Sequence, residues 1–142
     1  MNCSSPIMLM CSARRLDSSE ASIAPWLSVN NAAEAITFYK AAFSAVELYR
    51  LEDGDGNIAI AELSVRGANF WIQEEAAAIP AMAGRGFFRM VITVNDPDAL
   101  FELAIAAGAT EIAPINEEHG WRIGRVADPF GYHWEIGKRL FK

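Results

Sequence analysis

The sequence predicts an α+β protein made of two tandem βαβββ modules whose half-sheets can close around a shared cavity. An internal repeat is the first sign of this. Leu27-Ser28-Val29-Asn30 returns as Ile92-Thr93-Val94-Asn95, and Phe43-Ser44-Ala45-Val46-Glu47-Leu48 returns as Ala107-Gly108-Ala109-Thr110-Glu111-Ile112. The offset from Val29 to Val94 agrees with that from Glu47 to Glu111 to within one residue. The second sign is a helical apolar period once in each copy, followed by stretches that alternate as strands. Third, each copy runs into a strand with a carboxylate between apolar neighbours, Ala61-Glu62-Leu63 and Trp134-Glu135-Ile136. Glu62 and Glu135 are therefore expected to hold the same place in the two modules and to face a common cup.

In the first copy, residues 24–29 read as a short strand. Asn30 or Asn31 caps the helix that follows, because a side-chain oxygen there accepts a free first-turn amide. Ala32, Ile36, Tyr39 and Phe43 then share one helical face, which should pack on the sheet. Residues 46–51, 58–65 and 69–73 read as strands, punctuated by Glu52-Asp53-Gly54-Asp55-Gly56-Asn57 and by Arg66-Gly67-Ala68. The first of these turns has calcium-loop carboxylates but lacks the distal bidentate glutamate, so it reads as a hairpin turn. Residues 74–86, rich in Ala with Pro80 and two glycines, have no clean period and read as a connector.

The second copy has sharper signals. Residues 88–94 form the strand, Asp96 the N-cap and Pro97 the first helical position, with Leu100, Leu103, Ala104 and Ala107 as the buried stripe and Gly108 as the stop. Residues 110–113, 122–127 and 132–137 are the remaining strands, the last two joined by Asp128-Pro129-Phe130-Gly131. Residues 114–121 read as a loop long enough to cover something. The expected organisation is a poorly ordered extension over residues 1–22 and one domain over 23–140. Within that domain, module 1 spans 23–75, the connector 76–86 and module 2 87–140.

Composition narrows the function. A net charge of −6, with Lys and Arg scattered singly, opposes a phosphate backbone, so no nucleic-acid partner is expected. No apolar run approaches the ~20 residues of a membrane span. The two cysteines, Cys3 and Cys11, lie together near the amino terminus outside the repeat, which excludes a disulfide framework and a Cys-ligated zinc site. Arg14-Arg15 follow Met8-Leu9-Met10-Cys11, whereas a secretory signal carries its charges before a longer apolar stretch. Met10 also stands where a lipid-attachment motif wants a small residue, and a cytoplasmic protein is expected.

Ala35-Ile36-Thr37-Phe38-Tyr39 with Ala42-Phe43, and Gly124-Arg125-Val126 with Asp128-Pro129-Phe130-Gly131-Tyr132-His133-Trp134, carry a resemblance. Over residues 23–139 the chain resembles the glyoxalase/bleomycin-resistance/extradiol-dioxygenase superfamily, the vicinal oxygen chelate proteins, and within it the PhnB-like branch. The resemblance implies a curved mixed sheet around a central cavity, commonly in a homodimer. Ser44 departs from the glycine with which the family usually ends its first helix.

In metal-dependent members, each module supplies one ligand from its first strand and one from its last, typically His and Glu. Carried over, the last-strand positions match Glu62 and Glu135, and the first-strand positions match Ala24 and Arg89. Alanine has no donor atom, and a guanidinium repels a cation. Two carboxylates alone make a poor transition-metal site. The leading expectation is accordingly a metal-independent binding module of the bleomycin-resistance kind, without cofactor, that takes a small organic molecule into an aromatic and acidic cleft. The alternative is a lyase, isomerase or dioxygenase holding zinc, nickel, iron or manganese on Glu62 and Glu135, with His133 or His119 recruited.

Strand parity fills in the cup. If Glu62 faces it, so do Ile58, Ile60 and Ser64, while Ala59, Ala61, Leu63 and Val65 face the helix layer. By the same count Trp26 and Ser28 join Ala24, Val91 and Thr93 join Arg89, His133 joins Glu135, and Trp71 comes with Asn69 and Gln73. Arg89 is expected to lie between Glu62 and Glu135 and to offset the cost of burying them. His119 and Trp121 sit in the covering loop as candidate pocket-mouth residues. Arg122 is a further ligand candidate, although Arg122 and Arg125 point to opposite faces and parity does not choose between them.

Overall fold

The computed structural model describes residues 21–79 and 88–141. Residues 1–20, with both cysteines and most of the expected extension, and most of the connector lie outside the described residues. Module 1 runs β1 (Trp26–Val29), α1 (Ala32–Phe43), β2 (Val46–Glu52), β3 (Ile58–Val65) and β4 (Ala68–Glu74). Module 2 runs β5 (Met90–Thr93), α2 (Pro97–Ala107), β6 (Thr110–Glu118), β7 (Trp121–Ala127) and β8 (His133–Arg139). Each module forms its own four-stranded sheet, in the order β1-β4-β3-β2 and β5-β8-β7-β6. The pairs β1/β4 and β5/β8 are parallel and the rest antiparallel, so both sheets are mixed.

Local chemistry accounts for the helices. Asn31 accepts the Glu34 amide at 3.1 Å and starts α1, and Asp96 accepts the Ala99 amide at 3.1 Å and starts α2, with Pro97 in the first turn. Ser44 ends α1 in the left-handed region at φ 58°, the conformation that a glycine adopts without steric cost. The expected face of α1 is buried, with Ala35, Phe38 and Ala42 in addition. In α2 the stripe is rotated. Phe101 is buried beside Leu100 and Ala104, whereas Leu103 is half-exposed, because β7 offers Gly124 as a notch that the Phe101 ring fills.

The two sheets do not merge into one. Their helix-facing sides share an aromatic core in which Trp134 of module 2 packs on Phe43 (centroids 4.7 Å apart), Tyr39 (5.6 Å) and Phe70 (5.6 Å) of module 1. No ladder among the described residues joins β1 to β5. Instead, the Tyr132 hydroxyl accepts from the Ser28 amide at 3.1 Å and donates to the Ser28 carbonyl at 2.9 Å, satisfying the outer edge of β1.

Strand β6 departs from expectation. It continues through Glu118, so residues 114–118 belong to a strand and the expected covering loop shrinks to the hairpin turn His119-Gly120. Both turn residues have positive φ (54° and 83°), as a two-residue hairpin requires. Pro114 is tolerated because β6 is an edge strand and its pairing to β7 shifts register between Ala113 and Asn116.

Candidate ligand-binding site

In module 1, alternation buries Ala61, Leu63, Phe70 and Ile72 against α1 and turns their neighbours to the outer, cup face. One rung of that face reads Trp26, Trp71, Glu62, Tyr49 across β1, β4, β3 and β2. Trp26 and Trp71 stack with centroids 6.0 Å apart, and Tyr49 meets Trp71 edge-on at 6.0 Å. The Trp26 indole donates to Gln73 Oε1 at 2.8 Å, which fixes its ring, and the Asn69 amide donates to Glu62 Oε2 at 3.1 Å. No cation lies within salt-bridge distance of Glu62 among the described residues.

The corresponding rung of module 2 reads Val91, Glu135, Arg125, Ala113 across β5, β8, β7 and β6. Arg89 Nε lies 2.6 Å from Glu135 Oε2, and Arg125 Nε lies 3.8 Å from the same oxygen. Arg125 Nε is buried and makes no hydrogen bond. Two guanidinium groups thus share one carboxylate, leaving a surplus positive charge on this face.

Comparison of the rungs corrects the expected equivalence of the glutamates. Trp26 matches Val91 at the repeat offset, so Trp71 on the last strand of module 1 is the counterpart of Glu135, and Glu62 on the third strand is the counterpart of Arg125. The apolar-Glu-apolar triplets are alike in pattern but do not keep the repeat offset. Arg89 likewise pairs with Glu135 alone and is not within salt-bridge distance of Glu62.

Glu62 and Arg89 nevertheless line one cavity of about 810 Å³, together with Asn69, Trp71, Phe88 and Val91. It opens between the two modules beside β1 and β5. His133 is half-buried on β8, on the face of Glu135. The other sequence candidates lie elsewhere. Trp121 holds Arg139 over its ring at 5.2 Å beside the His119-Gly120 turn, at the far end of module 2's sheet. Arg122 turns to the helix side, where Nε and Nη2 grip Asp98 of α2 at 2.7 and 2.6 Å. That pairing holds the Asp98 carboxyl below its ordinary range, first through the hydrogen bond. Arg125 is therefore the arginine of β7 that reaches the cup. Sequence reasoning missed Tyr49, because a bulge between Glu47 and Tyr49 breaks the parity of β2.

Asp128 sets how the modules meet. Its carboxylate accepts from the Tyr39 hydroxyl of α1, from the Trp134 indole at 2.9 Å, and from the amides of Phe130 and Tyr132, each at 2.9 Å. Only 5% of the residue is exposed. Burial pushes its carboxyl above the usual carboxylate range, and these hydrogen bonds pull it partly back. Burial, then the Asp128 charge, also holds the Tyr39 phenol well above its ordinary value, so Tyr39 remains a donor.

A divalent cation fits this arrangement poorly. No group of three or more His, Cys, Asp or Glu side chains among the described residues is placed to hold one. An indole nitrogen at Trp71 donates and cannot ligate, and Glu135 is already engaged by arginine.

The family model of the Glyoxalase/Bleomycin resistance protein/Dioxygenase superfamily matches residues 21–136. The chain is 37% identical over 127 residues to the uncharacterized protein Mb0911c of Mycobacterium bovis, covering 84% of each chain. Among solved structures, the Arabidopsis thaliana At5g48480 product is similar at 26% identity, covering 82% of this chain and 97% of that one, with a TM-score of 0.64. FosX, a fosfomycin resistance protein of Listeria monocytogenes solved with Mn(II) and 1S,2S-dihydroxypropylphosphonic acid, shares the fold at 17% identity. It has a TM-score of 0.64, with 89% of this chain and 93% of that one covered. A PhnB protein from Bacillus cereus also shares the fold, at 14% identity and a TM-score of 0.64, with 81% and 97% covered.

Proposed function

The chain belongs to the glyoxalase/bleomycin resistance protein/dioxygenase superfamily, and from that premise we propose that it binds a small organic molecule without a metal, in the cavity lined by Glu62, Trp71 and Arg89. The observation that carries this reading is the occupancy of one rung on the first and last strands of the two modules. Those strands supply the ligands in metal-dependent members; here the rung holds Trp26, Trp71, Val91 and Glu135, because the matched first-strand positions Ala24 and Arg89 precede β1 and β5 and carry no donor for a cation either. Three of the four offer a cation no donor, and the fourth is paired to Arg89. Such a set favours an organic ligand held by aromatic surface and hydrogen-bonding charge.

The proposal includes a homodimer, since dimers are common in this superfamily. Val46, Tyr49 and Leu51 stand exposed along β2, where a second copy would cover them. It also includes a cytoplasmic setting, and no helix among the described residues is long and apolar enough to cross a membrane. A metal-dependent lyase, isomerase or dioxygenase would have to assemble its site from residues not brought together here. The likeness to FosX, at 17% identity, concerns the fold.

Native mass spectrometry of protein purified without chelator tests the reading. A dimer whose mass leaves no room for a stoichiometric metal supports it. One zinc, nickel, iron or manganese per subunit overturns it.

A further inference from the structure

The charged side chains that line the cavity are one carboxylate, Glu62, and two guanidinium groups, Arg66 on the module 1 side and Arg89 on the module 2 side. On one side Glu62 receives only the Asn69 amide, and no ion pair to it is found among the described residues. On the other, Arg89 shares Glu135 with Arg125, so that two guanidinium groups face a single carboxylate. Arg89 reaches that carboxylate through Nε, and its side chain remains 45% exposed, open to another anion. Trp71 and Phe88 supply aromatic surface in the same cavity, and the Trp71 ring is braced by Trp26 and Tyr49.

From this we propose that the cavity takes an amphoteric aromatic molecule, its cationic nitrogen on Glu62 beside the Trp71 ring and its carboxylate or comparable anion on Arg89. The inference rests on the metal-independent binding reading above and adds the ligand's chemical class to it. A purely anionic ligand would bring its charge against Glu62, and a purely cationic one would meet the positive charge of Arg66 and Arg89; each mismatch is costly in a site with part of its water removed. A zwitterion meets both signs of charge with attraction. Its two ends form charge-assisted hydrogen bonds, and its ring covers aromatic surface.

Three matched probes test this by calorimetric titration of the full chain: tryptophan, which carries both charges, tryptamine, which carries only the ammonium, and indole-3-propionate, which carries only the carboxylate. Tryptophan should bind about tenfold or more tightly than either single-charge probe, since each end contributes one charge-assisted interaction. Glu62→Gln should bring tryptophan down toward indole-3-propionate. Arg89→Gln should bring it down toward tryptamine, with thermal unfolding confirming that both variants are folded. Equal affinity for the three probes, or no measurable tryptophan binding, overturns the amphoteric assignment. Binding that appears only after Mn(II) is added overturns the metal-independent reading instead.

Discussion

Removal of the Asp128 carboxylate by Asp128→Ala should destabilise the protein more than any change in the cup. Four donors converge on that side chain, two from the Asp128-Pro129-Phe130-Gly131 turn and two from side chains in the inter-module core. All four hydrogen bonds are buried, and the Tyr39 hydroxyl and the Trp134 indole form the side-chain pair that the core leaves with no other acceptor. Each donor of that pair left without an acceptor costs about 1–3 kcal/mol, so the pair gives about 2–6 kcal/mol. Relief of the carboxylate's own burial offsets part of this, for a net loss of about 2–4 kcal/mol. In a chain of 142 residues that lowers Tm by about 5–15 °C. Urea and thermal unfolding followed by circular dichroism measure it, and a loss below about 1 kcal/mol would refute the argument that this carboxylate joins the modules.

The same residue gives a pH signature. Because burial raises its folded pKa, the folded protein keeps the Asp128 proton to higher pH than the unfolded chain does. Its contribution to stability is therefore full below the ordinary carboxylate pKa of about 4 and falls as pH rises through the folded value. Asp128→Asn should remove that decline, and an unchanged pH profile in that variant would contradict the assignment.

Other expectations concern single positions. Ser44→Gly should stabilise the protein by about 0.5–1 kcal/mol in urea unfolding, because it relieves the left-handed backbone at the end of α1. Gly124→Ala should destabilise by about 1–3 kcal/mol, since its Cβ would lie 2.9 Å from the Ile115 amide nitrogen and 2.9 Å from the Phe101 ring, and the backbone contact cannot yield. Trp71→Ala should weaken tryptophan binding about tenfold by calorimetry, as it removes the ring that Trp26 and Tyr49 brace. Arg122→Ala should leave that affinity unchanged, because Arg122 grips Asp98 on the helix side; a loss of binding would place it in the site after all.

The features legible in the sequence are those fixed by short-range chemistry. The caps at Asp96 and at Asn30 or Asn31, the stop at Gly108 and the inward and outward parity of β3, β4 and β8 follow from neighbouring residues, and the structure has them, with Asn31 as the first cap. What escaped depends on pairing between distant strands. Glu62 and Glu135 look equivalent in local pattern, yet ladder register sets Glu62 opposite Trp71 and Glu135 opposite Arg125. The bulge in β2 hid Tyr49, and β6 runs through Pro114 into the expected loop because it is an edge strand. The choice between Arg122 and Arg125 turned on the notch at Gly124, which places the even-numbered residues of β7 against α2.

Elemental analysis of chelator-free protein, paired with a tryptophan titration before and after EDTA treatment, separates metal-free from metal-dependent binding. Metal-independent binding gives well under one divalent metal per chain and the same tryptophan affinity in both titrations. Stoichiometric zinc, nickel, iron or manganese, with affinity lost on chelation and restored by the metal, would contradict it.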